Sequence, residues 1–486
     1  MITASCTTPK TLHEPDREIP VRWEPDVIVA GAGVSGAAAV VSAARAGASV
    51  LLIERNGIIG GVSTAGLMAN VTNFIFTATG EQVIRGFCEE FIERMRARGG
   101  VVDKWRTRDL PGICFDPEIG RLVLTLMLRE AGVKVLLHAF VAEVIAEVNA
   151  VRGVIVESKS GREAARAKVT VDCTGDADVA ARSGAPVRES GDTGSMEFRV
   201  GGVDIDRFVD YFRQHPDEYP HTQDFVLDAA TFIRNWEERG ELFFPHGGGT
   251  WPGLFQRAVQ AAGYQTTRDG WKGLDHFGMY AVRGSGTVVI NSNFFPTPQV
   301  DVEWLSRAEL EAREMCFEAA RLLREHIPGF ENSRVIETAG DWGVRATRWI
   351  EGEATLTRRE IEEGARFPDV IGCAASAKMV SGPHRGAGAW LPLDHTHDMP
   401  LRCMIPRGME GLLVASGKSV STDPRATLRS QSHCMVFGQG AGVAAAVAAQ
   451  SGAGLRHVDI RRVQQTLLDQ NAFLGDAQRL KQIGLA

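Results

Sequence analysis

Long apolar runs are missing from this chain. No window reaches eighteen consecutive apolar residues, and the most apolar helical stretch, residues 441–449, is short and mostly alanine, which argues against a membrane-spanning segment. Cysteine is sparse. The eight residues Cys6, Cys88, Cys114, Cys173, Cys316, Cys373, Cys403 and Cys434 stand singly, with no C-x-x-C pair and no metal-ligand spacing. They read as reduced thiols rather than a disulfide framework or a zinc cluster. Charge of one sign is also lacking: the net value of -7 gives no reason to expect nucleic acid or an anionic membrane as partner. Residues 1–25 hold Pro9, Pro15, Pro20 and Pro25 among charges and lack the apolar run of a secretory signal. They read as an irregular arm, and the expected location is cytoplasmic. There is no internal repeat and no low-complexity tract. At 486 residues and 44% hydrophobic, the chain is long enough for two closely connected domains with a sizeable core.

What is present begins at residues 26–55, which read as strand, glycine turn, helix and second strand. Val27, Ile28 and Val29 form a short β-branched run, and Gly31, Gly33 and Gly36 follow with G-x-G-x-x-G spacing where a helix should start. The first glycine permits the tight turn, the second lets backbone approach a pyrophosphate, and the third lets helix lie close on strand. Residues 37–46 are small enough to pack on a sheet, and Gly47 is placed to end the helix. Glu54 ends the second strand 18 residues after Gly36, where a carboxylate can accept hydrogen bonds from both ribose hydroxyls and where a 2′-phosphate would be repelled. Alone the spacing is weak and fits any glycine turn. With strand, helix and acid in place it points to dinucleotide binding.

Residues 56–68, NGIIGGVSTAGLM, place Gly60-Gly61 and Ser63-Thr64 shortly after that acid, an arrangement a plain NAD domain does not use. It resembles the two-dinucleotide-binding-domain flavoproteins, in which the double glycine and its hydroxyl neighbours line the diphosphate and ribityl part of FAD. Helices are expected over 81–98 and 119–131 and a strand over 133–137, followed by a three-stranded meander of 141–148, 151–159 and 167–171. In such flavoproteins the meander covers one face of the nucleotide sheet, and a residue near Val141 touches the adenine through its backbone. The meander leads into Thr174, Gly175 and Asp176 at the head of a helix. That trio caps a helix whatever its function, but it also looks like the segment in FAD-dependent oxidoreductases where glycine passes close to diphosphate and adenosine.

From residue 190 the nucleotide pattern stops. Trp236, Trp251, Trp271, Trp304, Trp342 and Trp349 all fall beyond that point, with strands expected over 194–200 and 288–291 and a solvated cover helix over 305–324. This region, 190–399, reads as an inserted mixed α+β substrate domain, between an FAD-binding part at 26–189 and its return at 400–486. Arg348, Ile350, Gly352, Leu356, Phe367 and Asp369 match a run found in the FAD-dependent oxidoreductase family, which is distantly similar to fumarate-reductase and succinate-dehydrogenase flavoproteins. The closing segment matches too, with a strand over 411–415, a turn at Ser416-Gly417-Lys418 and a final helix from about Ser432. Gly417-Lys418 stands where relatives usually have Gly-Arg, and Asp423-Pro424 where they have small residues or histidine. The resemblance implies an α/β fold with a Rossmann-like FAD domain, and FAD contacts that include Arg55, Gly417, Gly438 and Gln439. A final helix aimed at the isoalloxazine would stabilise negative charge on the reduced ring.

Hydride chemistry belongs to the flavin, so few catalytic side chains are needed. The best cluster is His384, Arg385, Asp394, His395, His397 and Asp398. His395 or His397 fits an acid or base, and a plain polar loop or, more remotely, a zinc site fits the same residues. Arg429, with Arg385 and Arg425 behind it, suits a substrate carboxylate or a polarised carbonyl, while Arg345 and Arg348 suit buried ion pairs. The whole reads as an FAD-dependent dehydrogenase or oxidase of a small organic substrate, with FAD held non-covalently. The alternatives are a reductase of an activated double bond and a non-catalytic electron relay. No second G-x-G-x-x-G suggests a nicotinamide domain, so electrons are expected to leave to oxygen or a carrier, and a homo-oligomer is compatible. The Gly-Asp pair that monooxygenases usually carry before the last helix is absent.

Overall fold

A computed structural model describes residues 11–72, 74–107, 110, 112–219, 228–245, 253–263, 267–268, 271–272, 277–297, 300–378 and 390–485. Its centre is a five-stranded parallel sheet in the order Leu412–Val414, Val169–Asp172, Val27–Ala30, Val50–Ile53, Lys134–Leu136. Parallel strands are covered on both faces, and Val27 to Ala30 are fully buried. Their alternation divides the core: Val27 and Val29 face the helices, whereas Ile28 and Ala30 face the meander.

On the helical side, Val34–Arg45 crosses the final helix Gln431–Ser451 at backbone distance. A methyl group on Gly438 would stand 2.1 Å from the Ser35 carbonyl oxygen, and one on Gly442 would stand 2.1 Å from that of Ala39. Alanine-rich faces fill the rest of the contact. The final helix is 21 residues long, well beyond the short alanine stretch visible in the sequence. By length and composition it passes for a membrane helix, yet 94% of its most apolar window is buried inside the fold.

On the other side lies a four-stranded sheet, Val21–Trp23, Gly161–Arg166, Ala150–Ser158 and Phe140–Glu147. Two expectations are corrected here. The third meander strand is Gly161–Arg166, while Val169–Asp172 belongs to the parallel sheet. The arm is also not wholly irregular, because Val21–Trp23 pairs in parallel with Gly161–Arg166. The expected helices are Phe87–Arg96, shorter than foreseen, and Pro117–Glu130, capped by Asp116.

Beyond residue 190 the chain builds a six-stranded antiparallel sheet. Its path is Glu241–Phe244, Gly278–Val282, Thr287–Thr297, Asp192–Gly201 and Arg334–Thr338, with Gly343–Val344 also on Asp192–Gly201. The helix Val302–His326 covers it. A separate antiparallel hairpin, Val370–Lys378 with Trp390–Pro400, carries His395 and His397. The polar-loop alternative for these two is therefore corrected. They stand on a strand, because backbone pairing with Val370–Lys378 overrides a locally polar sequence.

Candidate functional site

The glycine turn is built as its spacing requires. Gly31 takes φ +95°, donates its N–H to the Ile53 carbonyl at 2.8 Å, and would place a methyl group 2.5 Å from the Cys173 oxygen. A methyl on Gly36 would stand 1.9 Å from the Gly31 oxygen. Gly33 differs, for a methyl there meets nothing within 4 Å. Gly33 is also the N-cap of Val34–Arg45, which has no side-chain cap and no acid in its first turn. The first-turn N–H groups lack the partner that side chains usually supply, beside a glycine whose open side faces no protein atom. An anionic diphosphate satisfies both conditions.

Gly60 and Gly61 close the other wall with φ +112° and +54°. The Gly60 N–H donates to the Ala32 carbonyl at 2.7 Å, and a methyl on Gly61 would stand 2.9 Å from the Gly33 Cα. Glu54 is buried, and its two oxygens accept the N–H groups of Ala32 (2.7 Å) and Asn56 (2.8 Å). Each oxygen keeps a further lone pair for a ribose hydroxyl. Arg55 is more exposed and pairs with Asp341 at 2.8 Å. Val141 lies half-buried opposite Val156.

Thr174, Gly175 and Asp176 sit where the Val169–Asp172 strand ends. Their capping role is real: Thr174 Oγ1 accepts the Asp178 N–H at 2.9 Å, and buried Asp172 accepts from Thr174 and Ala180. Gly175 takes φ +92°, and Lys418 Nζ lies 3.2 Å from where its methyl would be. Lys418 reaches Asp176 at 3.3 Å and the Val344 carbonyl at 2.9 Å. Gly417 turns tightly against the Leu428 oxygen, 1.9 Å from a would-be methyl. Gly438 is occupied by the helix crossing. Gln439 accepts the Phe87 N–H at 3.2 Å and donates to the Gln470 carbonyl at 3.2 Å, so the fold alone gives both residues a task.

The final helix starts at Gln431, capped by Ser430 and one residue before the expected start near Ser432, and its first turn is tied to the glycine-rich segment. Gln431 accepts from Ser63 Oγ (2.7 Å) and donates to the carbonyls of Met68 (2.7 Å) and Asn70 (3.1 Å). Ser63 is thus fully buried and engaged, while Thr64 donates to the Ile59 carbonyl at 2.6 Å. His433 is fully buried, bonded through Nδ1 to Ser430 Oγ at 2.9 Å and stacked on Phe74 at 5.8 Å. Burial, reinforced by the neighbouring His397, pushes its pKa down to about 3, so its ring is neutral. Its Nε2 has no hydrogen-bond partner among the described residues. Sequence reading passed over Gln431 and His433, although the serine cap just before them was a usable signal.

His397 is fully buried opposite Ala374, with Nδ1 3.4 Å from the Asp398 carbonyl. His395 lies against Gly364 instead, and His384 and Arg385 fall outside the described residues. Asp398 is a structural hub, accepting from Arg366 (2.9 Å), the Phe367 N–H (2.8 Å) and Arg479 (2.9 Å). Arg348 pairs with Asp178. Arg429, just before the helix cap, faces Asp192 and Arg425, and burial lowers its pKa. Arg345 is held down to about 10, by burial first and by Arg429 second. Among the described residues no three His, Cys, Asp or Glu side chains gather as metal ligands.

Residues 26–467 match the family model described as FAD dependent oxidoreductase. The chain belongs to that family. A digeranylgeranylglycerophospholipid reductase of Methanothermobacter thermautotrophicus is 28% identical over 187 residues, which are 37% of this chain and 48% of that one. The chain thus spans about half the length of this curated relative. Among solved structures, a geranylgeranyl bacteriochlorophyll reductase-like protein of Thermoplasma acidophilum aligns at 14% identity and TM-score 0.44, over 93% of this chain and 84% of that one. A myxobacterial chondrochloren halogenase aligns at 10% identity and TM-score 0.46, over 92% and 78%. This FAD-dependent oxidoreductase takes FAD as its cofactor, and the open Gly33 with the uncapped helix behind it fits the group.

Proposed function

We propose that this FAD-dependent oxidoreductase transfers hydride between a small organic substrate and FAD held without a covalent link. The supporting observation is the coincidence of an uncapped helix at an open glycine with a second helix start that Gln431 ties to residues 63–70. Bound FAD supplies the two-electron acceptor; the chain supplies position and proton handling. Gln431 fixes the wall segment against the final helix. Neutral His433 offers Nε2 as a hydrogen-bonding atom without adding charge, and its stacking on Phe74 fixes the ring plane. His397, beside it, is the group assigned to take the proton as the substrate is oxidised, with His395 as the alternative on the same strand. Electrons then leave to oxygen or to a carrier.

One observation favours the reverse direction. The curated relative is named a reductase, and reduction of an activated double bond uses the same groups with the proton delivered rather than taken.

The test is the visible spectrum of the purified protein before and after acid precipitation, followed by an anaerobic substrate screen. A flavin spectrum that moves to the supernatant and bleaches with a small substrate is the expected result. Colour retained in the pellet would overturn the non-covalent assignment, and a colourless protein that takes up no FAD would overturn the whole reading. Replacing His397 with Ala should leave FAD bound and slow its reduction roughly 10²–10⁴-fold. Unchanged reduction in both the His397→Ala and His395→Ala variants would remove the histidines from the chemistry.

A further inference from the structure

Near the helices Ile460–Asp469 and Ala477–Gln482 the surface opens into a cleft of about 410 Å³. Arg366, Arg461 and Arg479 line it together with the apolar side chains of Phe367, Ile460 and Ile483, and its lining contains no Asp or Glu. Arg366 donates to Asp398 at 2.9 Å and to Thr396 Oγ1 at 2.8 Å. Arg479 donates through Nη2 to Asp398 and to the Phe367 carbonyl, both at 2.9 Å, and its Nε is buried with no hydrogen-bond partner among the described residues. Arg461 is exposed and makes no hydrogen bond or ion pair among the described residues. Its guanidinium lies over Gly484, with Nη2 2.1 Å from where a methyl group on that residue would stand, so the glycine leaves room for it.

Asp398 is fully buried and is the carboxylate that Arg366 and Arg479 share. Three guanidinium groups against one carboxylate leave two formal positive charges on the cleft. A concave surface lined by one sign of charge concentrates counter-ions. The volume lies within the range of small-ligand sites, roughly 300–1,000 Å³. None of the lining residues belongs to the glycine turn, to Glu54 or to the start of the Gln431–Ser451 helix, so the cleft is separate from the cofactor cradle.

We propose that this cleft binds the phosphate group of a small organic monoester, with Arg461, Arg366 and Arg479 on the phosphate and Phe367 and Ile483 against the organic part. A phosphate monoester carries about -1.5 to -2 charge at neutral pH, which matches the two formal charges left on the cleft. Planar guanidinium forks suit its oxygens and orient the group as well as attract it. Asp398 follows His397 on the Trp390–Pro400 strand, so the ligand shares its arginines with the residue next to the assigned proton acceptor.

The test titrates the FAD-loaded protein with phenyl phosphate, inorganic phosphate and phenol, followed by calorimetry. Phenyl phosphate should bind, and the other two should bind at least tenfold more weakly, since phenol lacks the charge and inorganic phosphate lacks the apolar part. Arg461→Gln should keep the FAD content and the melting temperature, because Arg461 has no partner to lose. The same variant should weaken phenyl phosphate roughly ten- to hundredfold, with partial rescue in Arg461→Lys, which retains charge but loses the fork. Amide exchange in residues 479–483 should slow when phenyl phosphate is added to the wild type. If Arg461→Gln does not fold, that exchange and the Lys variant carry the test. No binding of phenyl phosphate at millimolar concentration, equal binding of phenol, or unaltered affinity in the Gln variant would each overturn the proposal. Inorganic phosphate binding as tightly as the ester would overturn the monoester as ligand.

Discussion

At Gly33 an added side chain finds no protein atom within 4 Å, whereas at Gly36, three residues later, it would meet backbone at 1.9 Å. The two glycines therefore separate a ligand effect from a folding effect. Gly33→Val should fold with near-native stability, and on the proposed placement of the diphosphate at this turn it should lose FAD. Gly36→Val should lose the fold itself. Circular dichroism and flavin content measured together would decide, and normal FAD content in a folded Gly33→Val protein would displace the diphosphate from this turn. His433 gives a pH prediction at the same scale. Its folded pKa is about 3 and its unfolded value about 6.5, so the unfolded chain binds the extra proton between those limits. Stability present above pH 6.5 is lost as pH falls through that window. His433→Phe should remove roughly 2–4 kcal/mol of the loss between pH 7 and pH 4. Urea midpoints for the two proteins at both pH values would show it, and parallel losses would refute it.

Among elements, the crossing of Val34–Arg45 with Gln431–Ser451 joins the first helix of the chain to its longest alanine-rich one. Gly438→Ala forces a methyl group toward the Ser35 carbonyl and should cost about 1–3 kcal/mol, read as a lower melting temperature. An unchanged melting temperature would mean that the helices can separate freely. The elements around this crossing were readable in advance, because strand, glycine turn and helix are written in local periodicity. Elements fixed by distant partners were not. Val21–Trp23 is a strand only because Gly161–Arg166 lies beside it, and Trp390–Pro400 hides a strand under the polar run His395-Thr396-His397-Asp398. For the same reason Gln431 was invisible, since its partners Ser63, Met68 and Asn70 lie more than 360 positions away.

Across the whole molecule, Asp398 links the hairpin to the C-terminal end of the chain. Its fully buried carboxylate holds Arg366 and Arg479, and Arg479 belongs to the short helix Ala477–Gln482. Asp398→Ala leaves two guanidinium groups without their shared partner and should cost about 3–5 kcal/mol. Amide exchange should rise first in residues 477–482. If exchange there stays native while stability falls elsewhere, the hub does not anchor the terminus.

The parallel sheet has a consequence for biosynthesis. Its edge strand Leu412–Val414 pairs with Val169–Asp172, which leaves the ribosome about 240 residues earlier. At ordinary elongation rates that interval lasts roughly 12–50 s. Throughout it the nascent chain presents the bare, unpaired edge of the Val169–Asp172 strand and the uncovered face of the Val34–Arg45 helix. Flavin capture should therefore be post-translational, and yield in a heterologous host should respond to chaperone supply more than to riboflavin supply.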